Sequence, residues 1–103
     1  MNRDDGVCVA KRFKDLLLRK GYPVRRVVLY GSVANGTARQ DSDIDIAVVT
    51  DAFDDSRLRE GGAVLLASKE IDLLIETVTL HPDDFDRPFF ALGRELERTG
   101  VEI

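Results

Sequence analysis

Residues Val27–Thr50 read VVLYGSVANGTARQDSDIDIAVVT, and the fold turns on how this stretch is divided. A hydrophobic strand runs into a Gly-Ser turn and a short helical segment. A polar loop follows, and then a second strand that opens with two aspartates one residue apart. Successive side chains of a strand point to opposite faces at about 3.3 Å per residue, so Asp43 and Asp45 share a face roughly 6.6 Å apart at Cα. Ile44 and Ile46 point the other way, into a core, and Ala47, Val48 and Val49 continue a strand buried on both faces. Two carboxylates at the lip of a buried strand require a counter-charge, and a divalent cation suits them both.

Gly31 and Ser32 read as the phosphate half of the same site. Glycine admits a tight turn and close approach of the backbone, and Ser32 offers a hydroxyl and an N–H where a helical turn begins. A Gly-Ser pair alone is an ordinary turn, and Asp-x-Asp alone is an ordinary solvated strand end. Here each abuts a hydrophobic strand, and ten residues separate Ser32 from Asp43; that conjunction is specific.

Outside this stretch the chain has room for little else. Its 103 residues allow one domain, 1–103, and no second core. Hydrophobic residues make up 44% and charged residues 33%, the balance of a soluble globular protein. A net charge of −4 argues against direct contact with nucleic acid but not against a nucleotide, because bound cations bring their own charge. The single Cys8 excludes an internal disulfide and a cysteine-based zinc site, and is expected to pack as a small apolar residue. No apolar run approaches the roughly 20 residues that span a membrane, and the charged start is no signal peptide, so a cytoplasmic location is expected.

Helical spacing of Val9, Phe13, Leu16 and Leu17 predicts a first helix from about Asp5 to Lys20, stopped by Gly21 and Pro23. Val24–Tyr30 is the first strand. The acidic DAFDD, Asp51–Asp55, reads as a helix-initiating turn rather than a calcium loop, because it lacks that loop's glycine and closing glutamate. Ser56–Glu70 is expected to be helical, with Leu58, Val64, Leu65 and Ala67 inward, though Gly61-Gly62 weakens or breaks it. Ile71–Leu80 is the predicted third strand, too apolar to be an edge exposed on both faces. Asp72 and Glu76 share one of its faces. His81 reads as a turn residue, Asp86-Arg87-Pro88 as a helix start, and Phe89, Leu92 and Leu96 as the inward face of a last helix ending at Gly100. Val101–Ile103 adds a short strand. The expected architecture is α/β (α+β), a small mixed sheet flanked by helices.

Gly31, Ser32, Ala34, Gly36, Thr37, Ala38, Arg39, Ser42, Asp43 and Asp45 together resemble the pattern of the MNT-type minimal nucleotidyltransferases, within the DNA polymerase β-like nucleotidyltransferase superfamily. The likeness extends along nearly the whole chain, but only the Gly31–Asp45 segment is specific. Val33 and Asn35 stand where many members carry arginine. The resemblance implies that fold, a nucleotide site of Gly31, Ser32, Arg39 and Ser42, and two magnesium ions, or manganese, held by Asp43, Asp45 and a third carboxylate on the third strand. Asp72 fits that third position first and Glu76 is the alternate. ATP is the implied substrate, a HEPN-domain ribonuclease toxin the implied partner, and transfer of AMP to a tyrosine of that toxin the implied antitoxin activity. A chain this short lacks the acceptor-binding domains of larger members, so a partner has to bring the acceptor. The other reading kept open is a binding module that neutralises its partner by contact, with little or no catalysis.

Overall fold

The computed structural model describes all 103 residues. Its centre is strand β2, Ile44–Thr50, paired on both sides. Strand β1, Val24–Tyr30, runs antiparallel to β2, and β3, Ile75–Leu80, runs parallel to it. A two-residue β4, Val101–Glu102, pairs antiparallel with β1, giving the order β3-β2-β1-β4. Helix α1, Arg3–Arg19, precedes the sheet. The five-residue α2, Gly31–Asn35, joins β1 to the loop before β2. Helix α3, Arg57–Lys69, is the crossover between the parallel strands, and a 3-10 turn over Pro82–Asp86 leads to α4, Ala91–Thr99.

Alternation along the strands divides the apolar residues into two layers. One face carries Val27, Leu29, Ile44, Ile46, Val48 and Ile75 against Phe13 and Leu17 of α1 and Val64 and Ala67 of α3. The other carries Val28, Ala47, Val49 and Leu80 against Leu96 of α4, with Tyr30, Val78, Phe85, Phe90 and Leu92 at its margin. Phe13, Leu17, Leu29, Ile44 and Ile46 have no exposed surface, and each such side chain contributes about 1.5–3 kcal/mol of hydrophobic stabilisation. The mixed sheet between helices agrees with the architecture expected from the sequence.

The ends of the elements hold the corrections. Asn2 caps α1, its side chain accepting from the Asp5 N–H at 2.8 Å while Asp5 accepts from the Asn2 N–H at 3.1 Å. Cys8 is exposed rather than packed. Helix α3 is unbroken despite Gly61-Gly62, and Ser56 caps it. Val64 and Ala67 face inward as expected, but Leu58 is 86% and Leu65 40% exposed, their places in the core being taken by Glu60 and Ser68. Strand β3 begins at Ile75 rather than Ile71. The preceding residues finish α3, with the Ile71 and Asp72 N–H groups both donating to the Ser68 carbonyl. Phe89 lies outside α4 in the left-handed region, φ 60°, and is 91% exposed; Phe90 packs instead, edge-on to Phe85 with centroids 5.8 Å apart.

His81 is more than a turn residue. Its Nε2 lies 2.7 Å from Oε1 of Glu60, a carboxylate almost without exposed surface that also accepts from the Phe53 and Asp54 N–H groups. Burial alone would raise the pKa of Glu60, but these hydrogen bonds outweigh it and hold the group low. Beside it Asp84 accepts both guanidinium nitrogens of Arg57, at 2.8 and 2.9 Å, and the His81 N–H at 2.8 Å. The Arg57 pair holds Asp84 down at about 2. This network ties the β2–α3 loop, the start of α3 and the corner after β3 together, at the end of the sheet where β2 and β3 finish.

Candidate active site

At the opposite end of the sheet β1 finishes where β2 and β3 begin. Tyr30 is in register with Asp45, and Asp45 with Glu76. The three side chains form one row across three strands on the α4 face, and neighbours in such a row sit within about 5.5 Å at Cβ across the antiparallel pair. Asp43 lies just before the first residue of β2 and is exposed. Asp45 is half-buried. Burial raises its carboxyl above the ordinary aspartate range, and the charges of Asp43, Glu76 and Glu95 raise it further. Tyr30 is likewise pushed up, by burial first and then by Asp45, Glu95 and Glu76.

Gly31 turns the chain from β1 into α2 at φ 72°. A Cβ placed there would stand 2.2 Å from Oδ2 of Asp45, so the carboxylate occupies the space that any side chain at position 31 would fill. Only glycine serves both the backbone angle and this close approach. The Ser32 carbonyl accepts from the Thr37 N–H at 2.9 Å, and Gly36, at φ 75°, ends α2. Ser42 Oγ accepts from the Arg39 N–H at 2.8 Å and closes the loop before Asp43, while the Arg39 side chain stands exposed. Val33 is buried, and its methyl sits where a Cβ on Gly6 of α1 would lie, 2.3 Å away. Position 33 therefore faces the core here, which accounts for valine where arginine is common.

The structure thus brings Gly31, Asp45 and Glu76 together, with Asp43 at the rim. Asp72 is not among them: it lies in the turn before β3, where its Oδ1 accepts the Leu74 N–H at 2.8 Å. Glu95 of α4, three residues after Leu92, is half-buried and was not singled out from the sequence. The donor set is all carboxylate oxygen, which suits magnesium or manganese. No three His, Cys, Asp or Glu side chains converge closely enough to hold one ion in this arrangement. Asp45, half-buried against Gly31 and in register with Glu76 with no basic partner, is the residue whose surroundings fit a cation.

These features define a nucleotidyltransferase. The nucleotidyltransferase domain family matches the chain over residues 10–98, and the chain belongs to that family. No curated relative matches it in sequence. Among solved structures, a Sulfolobus solfataricus protein assigned as a nucleotidyltransferase is similar at a TM-score of 0.68 and 19% identity, over 97% of this chain and 80% of that one. A toxin–antitoxin structure with AMP-PNP is similar at 0.61 and 22% identity, over 90% of this chain and 70% of that one. The toxin–antitoxin MntA–HpeT, in a tyrosine-to-alanine variant, is similar at 0.63 and 22% identity, over 90% and 69% of the two chains. No helix of the chain is long and apolar enough to cross a membrane.

Proposed function

We propose that the chain is an MNT-type antitoxin that transfers AMP from ATP to a hydroxyl of a partner toxin, with a tyrosine of a HEPN ribonuclease as the acceptor. The observation that carries this reading is the row of Asp45 and Glu76, with Asp43 at its rim, beside the side-chain-free turn at Gly31. The likeness to toxin–antitoxin structures, one with AMP-PNP, supports it. In this reading Asp43, Asp45 and Glu76 hold the divalent cations, Glu76 replacing Asp72 as the third carboxylate because it is the one in register with Asp45.

Gly31 and Ser32 take the β- and γ-phosphates through backbone and hydroxyl, with Arg39 and Ser42 on the loop facing them. Bound magnesium or manganese would neutralise charge developing on the transferring phosphate. The acceptor oxygen attacks the α-phosphorus, the bond from that phosphorus to the bridging oxygen breaks, and pyrophosphate leaves. Glu76 takes the hydroxyl proton. Little further covalent chemistry is asked of the protein, since positioning and charge stabilisation dominate phosphoryl-type transfer.

Neutralisation by contact alone is the second reading, and the burial of Val33 favours it by leaving no cationic side chain at that position. Incubation with labelled ATP, magnesium and the partner toxin, followed by the toxin's mass, separates the two. A gain of one AMP supports transfer. Complete neutralisation of an unmodified toxin would establish contact inhibition.

A further inference from the structure

The outer edge of β3 leaves backbone groups open. The Ile44 N–H donates to the Leu74 carbonyl at 2.8 Å, so in this parallel pair the even-numbered residues of β3 turn their backbone to β2, and Ile75, Thr77 and Thr79 turn theirs outward. Ile75 is provided for, its N–H donating to the Asp72 carbonyl and its carbonyl accepting from Lys69 Nζ. The two N–H and two C=O groups of Thr77 and Thr79 have no partner in the chain. Thr79 Oγ1 is buried and lacks one too. Edge strands are commonly blunted by lysine, proline or a bulge, and IETVTL has none of these. The Thr77 and Thr79 side chains lie on the α3 side, where Leu58, Gly61, Gly62 and Leu65 form the other wall of a groove of about 310 Å³. Leu58 and Leu65 stand exposed, and a Cβ on either glycine would meet nothing within 4 Å. Arg57, the charged residue of the groove, is taken up by Asp84.

We propose that this edge binds a second copy of the chain, β3 against β3, antiparallel about a two-fold axis at Val78. Thr77 then opposes Thr79 of the second copy, and Thr79 opposes its Thr77, as pairs that each exchange two N–H···O bonds. All four open groups of each chain are used. Directly opposed side chains share a face within about 5.5 Å at Cβ, so each Thr79 hydroxyl gains a Thr77 hydroxyl. Moving the axis to Thr77 or Thr79 would oppose Thr79 to Ile75 or Thr77 to His81, whose backbone groups are already bonded. This fit of the edge to itself points to a second copy rather than to a foreign strand. The two α3 helices come side by side where Gly61 and Gly62 leave room, and no unpaired charge of the groove meets its like. Glu76 projects from the other face, so the carboxylate row stays open.

Light scattering on the full chain over a dilution series is the first test. The wild type is expected at the mass of two 11.5 kDa chains, dissociating on dilution. Gly62→Arg fills the groove and should be a monomer with an undiminished Tm, since arginine is the better helix former. Leu18→Glu, on α1, should remain a dimer. Val78→Cys in a Cys8→Ser background reads the register. Opposed residues of a non-hydrogen-bonded antiparallel pair lie about 4.5 Å apart at Cα, within disulfide range, so this variant should cross-link on mild oxidation and Thr79→Cys in the same background should not. A monomeric wild type overturns the proposal, as does a dimer that survives Gly62→Arg or fails to cross-link in Val78→Cys. Protection of the Thr77 and Thr79 amides from hydrogen exchange only when toxin is added would overturn it in favour of the toxin as occupant.

Discussion

Asp45 of β2 and Glu76 of β3 stand in register on one face of a parallel strand pair, with no basic side chain bonded to either. Burial raises the Asp45 carboxyl above the ordinary aspartate range, and the Glu76 charge beside it adds to that rise. The arrangement makes the third-carboxylate assignment testable by substitution.

Glu76→Gln should lower nucleotidyl transfer by at least about a hundredfold, the lower range for loss of a general base. Asp72→Asn should leave transfer within about twofold, because asparagine keeps the Oδ1 that accepts the Leu74 N–H. Single-turnover transfer with the partner toxin is the measurement, and the reverse order of effects would return the role to Asp72.

Asp45→Asn keeps shape while removing one charge, and transfer should become hard to detect, since each 1.36 kcal/mol is about tenfold in rate. Its Tm in excess chelator should equal or exceed the wild type, because a folded-state pKa that is raised marks an ionised form disfavoured by folding. Asp43→Asn should likewise lose transfer, and its exposed position should leave the metal-free Tm unchanged. A clear drop in metal-free Tm would make these aspartates structural.

Gly31→Ala meets both a left-handed backbone and the Asp45 carboxylate. Gly36→Ala meets the backbone penalty alone, with nothing within 4 Å of its Cβ. Each should lose about 1–2 kcal/mol by urea denaturation from the left-handed conformation. Gly31→Ala alone should lose transfer, by displacing Asp45. Equal activity in the two variants would show that Asp45 needs no such seat.

Acid unfolding should report Asp84. Its folded pKa of about 2 lies below the ordinary aspartate value of about 3.9, so its contribution is complete above pH 4 and lost as pH falls towards 2. The amount is on the order of 2 kcal/mol. Urea midpoints measured against pH should fall through that window in the wild type and change less in Asp84→Asn, which starts less stable at neutral pH.

Much of the fold was readable because β1, α2 and β2 join strong alternation to turn residues that admit few conformations. The start of β3 was not. Ile71, Leu73 and Leu74 look like strand residues, but Asp72 captures the Leu74 N–H and the last turn of α3 captures the amides before it. That local competition takes Asp72 off the strand face and leaves Glu76 as the residue in register with Asp45. The buried Glu60 was also hidden in the pattern, because its core place depends on His81 and two loop amides that only tertiary structure supplies. The approach of Gly31 to Asp45 was legible in outline, since a short helix and loop link the two strands that carry them.

The network of Arg57, Asp84, His81 and Glu60 lies at the end of the sheet remote from Asp45. Its bonds are satisfied and its carboxylates held ionised, whereas the carboxylates at the other end are left in conflict. The molecule is polarised along its strands into an anchored end and a frustrated one. Firm closure at the first lets the second keep a repulsion that would otherwise threaten folding, as functional sites commonly do at the expense of stability elsewhere. Weakening the anchored end should therefore show first as a chain whose folding comes to depend on added Mn2+.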